Sequence, residues 1–183
     1  MKHKAIFLDR DGVLVEEYGH LHKIEKCVFV QGMFDALKKA QDTFRLIIVT
    51  NQGGIAKGMY SLADYYEVTT YILRECEKRG VEITDVFQCP CHPEGDVKRY
   101  KLVSPSRKPG TGMLRHAAEH YDIDLKGSWM IGDKMSDIQA GHDAGCKTIL
   151  VRTGQKDKKD AKTTAMPDHT VEDIKEAIKV IIP

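Results

Sequence analysis

Two aspartates one residue apart, Asp9 and Asp11, follow directly on the apolar run Ala5-Ile6-Phe7-Leu8 and precede Gly12. Carboxylates this close repel one another, and a bound Mg²⁺ relieves the repulsion by taking oxygen ligands. Gly12 lets the chain turn sharply and bring backbone close to a ligand. A short buried strand that stops at two acids has a natural place in an open α/β sheet, where ligands bind outside the carboxyl ends of the strands. Taken alone, the stretch is also compatible with a polar turn, since Asp and Gly are ordinary turn residues.

Other strand ends add to the set. Arg45-Leu46-Ile47-Ile48-Val49 is the clearest buried strand and stops at Thr50-Asn51-Gln52-Gly53-Gly54. Ser128 to Ile131 reads as a strand ending in Gly132-Asp133-Lys134, and Arg107-Lys108-Pro109 leads into a helix. On one sheet edge these would collect the acids Asp9, Asp11 and Asp133, the hydroxyl and amide of Thr50 and Asn51, and the cations Arg107, Lys108 and Lys134. Acids suit a hard divalent cation, which keeps waters and takes phosphate oxygens as further ligands. Lysine, arginine and a hydroxyl suit the equatorial oxygens of a phosphoryl group. A metal, a phosphoryl site and a free carboxylate together describe phosphoryl transfer to Asp, then hydrolysis.

The elements that must position these residues alternate. After the first strand, Val13-Leu14-Val15 and Cys27-Val28-Phe29-Val30 flank a polar loop, Glu16 to Lys26, and can pair as a small flap. Met33 to Ala40 is amphipathic. Ser61-Leu62-Ala63-Asp64 has the form of a capping box opening the longest helix, whose stripe of Tyr65, Val68, Ile72 and Cys76 runs until Gly80. A strand over Val81 to Phe87 and a long loop from Cys89 to Pro109 follow. Gly112 to Tyr121 is expected as helix, Ser136 to Ala144 as helix and Lys147 to Val151 as a fifth strand. A basic loop, Gln155 to Thr164, leads to a last helix expected to be capped at Thr170. Strand–helix alternation predicts a doubly wound α/β domain, its sheet mainly parallel with helices on both faces. Right-handed crossovers then put all the chemical strand ends on one edge.

Composition sets the outer limits. A chain of 183 residues, 30% charged and 42% hydrophobic, suits one soluble globular domain over residues 1–183. A net charge of +1 makes no case for nucleic acid or an anionic membrane as partner. No stretch reaches transmembrane length, and the apolar run after Met1-Lys2-His3-Lys4 is too short for a signal-peptide core. Five cysteines, mostly scattered, suggest reduced thiols in a cytoplasmic protein. A monomer is expected.

Asp9-Arg10-Asp11-Gly12-Val13, Thr50-Asn51-Gln52, Arg107-Lys108-Pro109 and Gly132-Asp133-Lys134-x-x-Asp137 resemble, in order and spacing, the motifs of the haloacid dehalogenase (HAD) superfamily of phosphatases. The stretches Thr50-Asn51-Gln52-x-Gly54-Ile55-Ala56-x-Gly58, Met130 to Lys134 and Val151-Arg152-Thr153-Gly154 are similar to the heptose bisphosphate and histidinol phosphate phosphatase subfamily. The resemblance covers roughly residues 4 to 180. It implies a Rossmann-like HAD fold without a large cap domain, in which the loops Glu16 to Lys26 and Cys89 to Arg107 wall the site. It implies Asp9 as nucleophile and Asp11 as general acid and base. Mg²⁺ would be held by Asp9, the backbone carbonyl of Asp11, and Asp133. Thr50 and Lys108 would hold the phosphoryl group, Asn51 and Arg107 would orient substrate, Lys134 would reach substrate or a carboxylate, and Asp137 would support the site. The implied reaction is removal of the 7-phosphate from a heptose 1,7-bisphosphate, with histidinol phosphate as the alternative small phosphorylated metabolite.

One departure stands out. Many members of that subfamily carry a structural zinc on a Cys-x-His pair and a later Cys-x-Cys pair. Here the matching positions are Cys89, Cys91, Ser104 and Ser106, with His92 beside Cys91. A closed zinc site wants four Cys or His ligands, so zinc is not expected.

Two other classes share parts of this pattern. Gly53-Gly54-Ile55-Ala56-Lys57-Gly58 lacks the Gly-Lys-Ser/Thr ending of a nucleotide loop. A receiver-like signalling domain shares the acids, Thr and Lys, but needs its phospho-accepting Asp at the end of a middle strand, where this chain has Thr50-Asn51. Among the histidines, His116 and His120 read as a solvated helix face, whereas His20 and His22 alternate in the flap loop and one of them could touch substrate.

Overall fold

The computed structural model describes residues 2–154 and 163–183. Most of the expected basic loop from Gln155 falls outside the described residues. Six strands form one sheet: β1 (Ala5–Leu8), β2 (Arg45–Asn51), β3 (Ile83–Cys89), β4 (Trp129–Gly132), β5 (Lys147–Val151) and β6 (His169–Val171). Their order is β3-β2-β1-β4-β5-β6, and every adjacent pair is parallel. The chain therefore winds outward in both directions from β1. The reversal of winding beside β1 creates the crevice where such sheets bind ligands.

The inner strands β1, β2, β4 and β5 are largely apolar because helices cover both faces, whereas the edge strands β3 and β6 carry polar residues. Successive side chains of β1 enter different cores. Ile6 and Leu8 pack with Leu46, Ile48, Ile131 and Ile149 beneath helices α1 (Met33–Ala40), α3 (Leu62–Lys78) and α6 (Ile174–Ile181). Phe7 instead joins Ile47, Val49 and Met130 beneath α4 (Gly112–Tyr121) and α5 (Met135–Ala144). Each fully buried side chain of this size is worth about 1.5–3 kcal/mol over its exposed state.

The capping box at Ser61 is present: Ser61 Oγ accepts from the Asp64 amide, and Asp64 accepts from the Ser61 amide at 2.7 Å. The expected flap also forms. Val15 and Phe29 make an antiparallel bridge, with Glu16 N donating to Val28 O at 2.8 Å and Val30 N to Leu14 O at 3.0 Å.

Three features differ from expectation. A single helical turn, α2 (Gly53–Ala56), follows β2 in a stretch to which the sequence assigns no element. Val81 is a buried core residue before β3 rather than part of it. Thr170 does not cap the last helix: it lies in β6, paired with Leu150, and Asp173 caps α6 by accepting from the Lys175 and Glu176 amides. A sheet edge left open by β5 captured those residues. Among the described residues no helix is long and apolar enough to cross a membrane.

Candidate active site

The ends of β1, β2 and β4 bring Asp9, Thr50 and Asp133 to one edge, as the alternation implies. Lys108 reaches in from the loop before α4. Its Nζ lies 3.0 Å from Asp9 Oδ1 and 2.7 Å from Asp137 Oδ1, and donates to Val49 O at 2.7 Å. All three charged groups are buried. Asn51 fixes this lysine from behind: its Nδ2 donates to Lys108 O at 2.9 Å, and its Oδ1 accepts from Lys108 N at 3.0 Å. The Asn51 amide is thus engaged with the Lys108 backbone rather than turned to the crevice. Asp137 lies in direct contact with the lysine and also accepts from the Lys134 amide at 3.0 Å.

Asp9, Asp133 and Asp137 have ligand oxygens all within 4.8 Å of one another. Both Asp133 oxygens are buried without a hydrogen-bond partner. A buried, unpartnered carboxylate is costly unless a cation joins it, so the donor set fits a hard divalent ion. Burial first, then Asp9 and Asp137, push Asp133 up to about 8. Burial also works to raise Asp9, but Lys108, Lys134 and hydrogen bonds from Lys108 and the Arg10 amide prevail and hold it below its ordinary value. Two glycines make room for Asp133. A Cβ on Gly12, whose φ is +83°, would lie 2.5 Å from Asp133 Oδ2, and one on Gly154 would lie 1.9 Å from it.

Asp11 stands apart from that cluster. Arg10 Nε donates to its Oδ1 at 3.0 Å and Arg10 Nη2 to its Oδ2 at 2.9 Å, while Gln52 Nε2 donates to Oδ2 at 3.1 Å. Burial raises the Asp11 carboxyl above its ordinary value against the pull of Arg10, and Asp9 and Glu17 add repulsion. A pair of carboxyls pushed in opposite directions is the arrangement that separates an ionised group from a protonated one.

At the rim, Lys134 Nζ pairs with Glu17 Oε2 of the flap at 2.9 Å and lies 3.5 Å from Asp133 Oδ2. Arg107 Nη1 donates to Cys91 O at 3.2 Å. His22 stacks on Tyr60, ring centroids 5.3 Å apart. Arg10, Gln52, Tyr60 and Glu17 carried no role in the sequence reading. The signal for Gln52 was its place directly after Thr50-Asn51.

The zinc positions do not form a donor set. Among the described residues the aspartate trio is the one group of acids, cysteines and histidines that converges. His92 Nδ1 accepts from the Glu94 amide, and Ser104 Oγ accepts from the Ser106 amide. Protein contacts tie the loop to the domain: the Asp96 and Val97 amides both donate to Ala56 O of α2 at 2.8 Å.

This geometry can be set against known proteins. A HAD-hydrolase-like family profile matches residues 105–177. The D-glycero-alpha-D-manno-heptose-1,7-bisphosphate 7-phosphatase of Photorhabdus laumondii is 43% identical over 155 residues, covering 84% of this chain and 85% of its own. The chain belongs to the HAD-like phosphatases. The beta-anomer 7-phosphatase of Escherichia coli K12 is 37% identical over 178 residues, covering 96% of this chain and 93% of its own. The crystal structure of the D,D-heptose 1,7-bisphosphate phosphatase of B. bronchiseptica, complexed with magnesium and phosphate, superposes with a TM-score of 0.83 at 29% identity and 98% coverage of both chains. This HAD-like phosphatase is an enzyme, and the receiver reading falls away.

Proposed function

We propose that this phosphatase removes the 7-phosphate of a D-glycero-D-manno-heptose 1,7-bisphosphate in a Mg²⁺-dependent reaction through an aspartyl-phosphate. The observation that carries the chemistry is the Asp9 carboxylate, held by buried Lys108 beside Asp133, whose buried oxygens accept no hydrogen bond. The substrate rests on the relatives, which are named for that sugar.

Asp9 attacks phosphorus, the bond to the sugar oxygen breaks, and Asp11 delivers its proton to that oxygen. Asp11 then takes a proton from the water that attacks the aspartyl-phosphate, releasing inorganic phosphate and restoring Asp9. One carboxyl serves both steps because the first leaves it ready for the second. Asp9, Asp133 and the Asp11 carbonyl would hold Mg²⁺, which when bound supplies charge neutralisation for the approach of an anionic phosphate. Lys108 and Thr50 hold the phosphoryl oxygens, Arg107 and Lys134 face the rest of the substrate, and Asn51 keeps Lys108 in place. The enzyme works in this reading as a single domain, monomeric and cytoplasmic.

Steady-state phosphate release from each heptose bisphosphate anomer and from histidinol phosphate tests the substrate. Preference for histidinol phosphate would overturn it.

A further inference from the structure

Gln52, 2% exposed, uses its whole hydrogen-bonding capacity. Its Nε2 donates to Asp11 Oδ2 at 3.1 Å and to Thr50 Oγ1 at 2.9 Å. Its Oε1 accepts from Tyr60 Oη at 2.6 Å and from Arg10 Nη2 at 3.4 Å. A primary amide offers two N–H groups and two lone pairs, so this side chain cannot turn without unmaking contacts in a buried place. Such networks hold their members in one arrangement.

Arg10, 1% exposed, grips Asp11 through two nitrogens and donates from Nη2 to Leu21 O at 3.1 Å. Leu21 belongs to the flap loop. Tyr60, at the other end of Gln52, stacks on His22 of the same loop with the ring planes 3° apart. Two routes therefore lead from the Asp11 carboxyl to adjacent flap residues, one through Arg10 and one through Gln52 and Tyr60.

In this arrangement three N–H bonds converge on the two Asp11 oxygens. A proton donor must instead turn an oxygen toward the leaving group within hydrogen-bond reach. We propose that Arg10 and Gln52 are positioning residues that turn the Asp11 carboxyl toward the leaving oxygen when Leu21 and His22, to which they connect it, move onto the substrate. The proposal rests on the reading of Asp11 as general acid. Its consequence is a dependence on the leaving group. An alkoxide needs a proton as the bond breaks, whereas p-nitrophenolate departs as an anion.

The test compares kcat/KM, which covers the steps up to the aspartyl-phosphate, for heptose bisphosphate and p-nitrophenyl phosphate in the full-length protein. Asp11→Asn is the reference: a selective loss on the sugar phosphate upholds the acid reading, and equal loss on both substrates sinks that reading by itself. Given that reference, Gln52→Met should reduce kcat/KM for the sugar phosphate about tenfold more than for p-nitrophenyl phosphate. The lost contact with Thr50 affects both substrates and cancels in the ratio. Tyr60→Phe keeps the stack on His22 but loses the bond to Gln52, and should move the ratio in the same direction by less. It carries the test should Gln52→Met not fold. An unchanged ratio in the folded variants, whatever the absolute loss, reduces Gln52 to a structural residue and overturns the proposal.

Discussion

The ammonium of Lys108 sits 3.0 Å from Asp9 Oδ1 with both side chains buried, and the same nitrogen also serves Asp137 at 2.7 Å. One cation thus balances two carboxylates out of reach of water. Removing it strands both. Lys108→Met should cost about 3–5 kcal/mol in urea unfolding at neutral pH and abolish turnover. A small stability change would mean that Lys108 is not the counter-ion of this site.

Asp9→Asn keeps the shape of the proposed nucleophile and takes away its charge. The variant should fold, as circular dichroism would report, and should form no aspartyl-phosphate in rapid-quench experiments. Full activity would exclude Asp9 as the nucleophile.

The pH dependence of the metal-free protein follows from Asp133. An unfolded-chain aspartate titrates near pH 4, whereas folding pushes this one up to about 8. Between those values the folded state binds the extra proton, so stability must fall as pH rises through the window. Asp9 acts with the opposite sign, its contribution being lost as pH falls below its unfolded value. Mg²⁺ needs the ionised carboxylate, so its stabilising effect should grow across the window in which the metal-free protein weakens. Thermal unfolding from pH 5 to 9 in EDTA and in Mg²⁺ measures both trends. Parallel curves would show that Asp133 does not hold the ion.

Gly154 offers a way to disturb the cation site without touching a charge. In Gly154→Ala the added methyl would fall 1.9 Å from Asp133 Oδ2, so the carboxylate must move. The Mg²⁺ concentration for half-maximal activity should rise about tenfold or more, equivalent to about 1.4 kcal/mol of binding. An unchanged Mg²⁺ requirement would remove Asp133 from the set.

The loop after β3 should hold its structure without zinc. Protein purified without added metal should contain far less than one zinc per chain by plasma emission, and chelation should leave its melting temperature unchanged once Mg²⁺ is restored. Stoichiometric zinc would contradict the donor placement of Cys89, Cys91 and His92.

How much of this was visible in the sequence depends on the range of the forces involved. The helix capped at Ser61 and the strands Ala5–Leu8 and Lys147–Val151 are set by local caps and apolar runs, and were legible. β6 was not: three residues, exposed or half-buried, become a strand only because β5 leaves an edge to pair with. In the site, Asp9, Thr50 and Asp133 could be grouped because strand ends share an edge, whereas Lys108, in a loop, joined them through the motif resemblance. Arg10 could not be read as a buried clamp, since an arginine between two aspartates looks like surface charge balance until its surroundings close over it. Asn51 shows the same limit: the family resemblance implied substrate contact, and its partner is the backbone of a residue 57 positions away.

The central position of β1 has a consequence for synthesis on the ribosome. That strand is paired on one side with residues 45–48 and on the other with residues 129–131. Asp9 is made well before Lys108, Asp133 and Asp137, the groups that give its carboxylate a place, which follow it by 99, 124 and 128 residues. A nascent chain ending before Asp133 can pair β1 with β2 but holds a half-covered strand and an acid without its partners. The proposed catalytic centre is therefore assembled late, by the arrival of β4 and α5, and any pause upstream of them exposes the apolar edge of β1 to whatever else in the cell can pair with it.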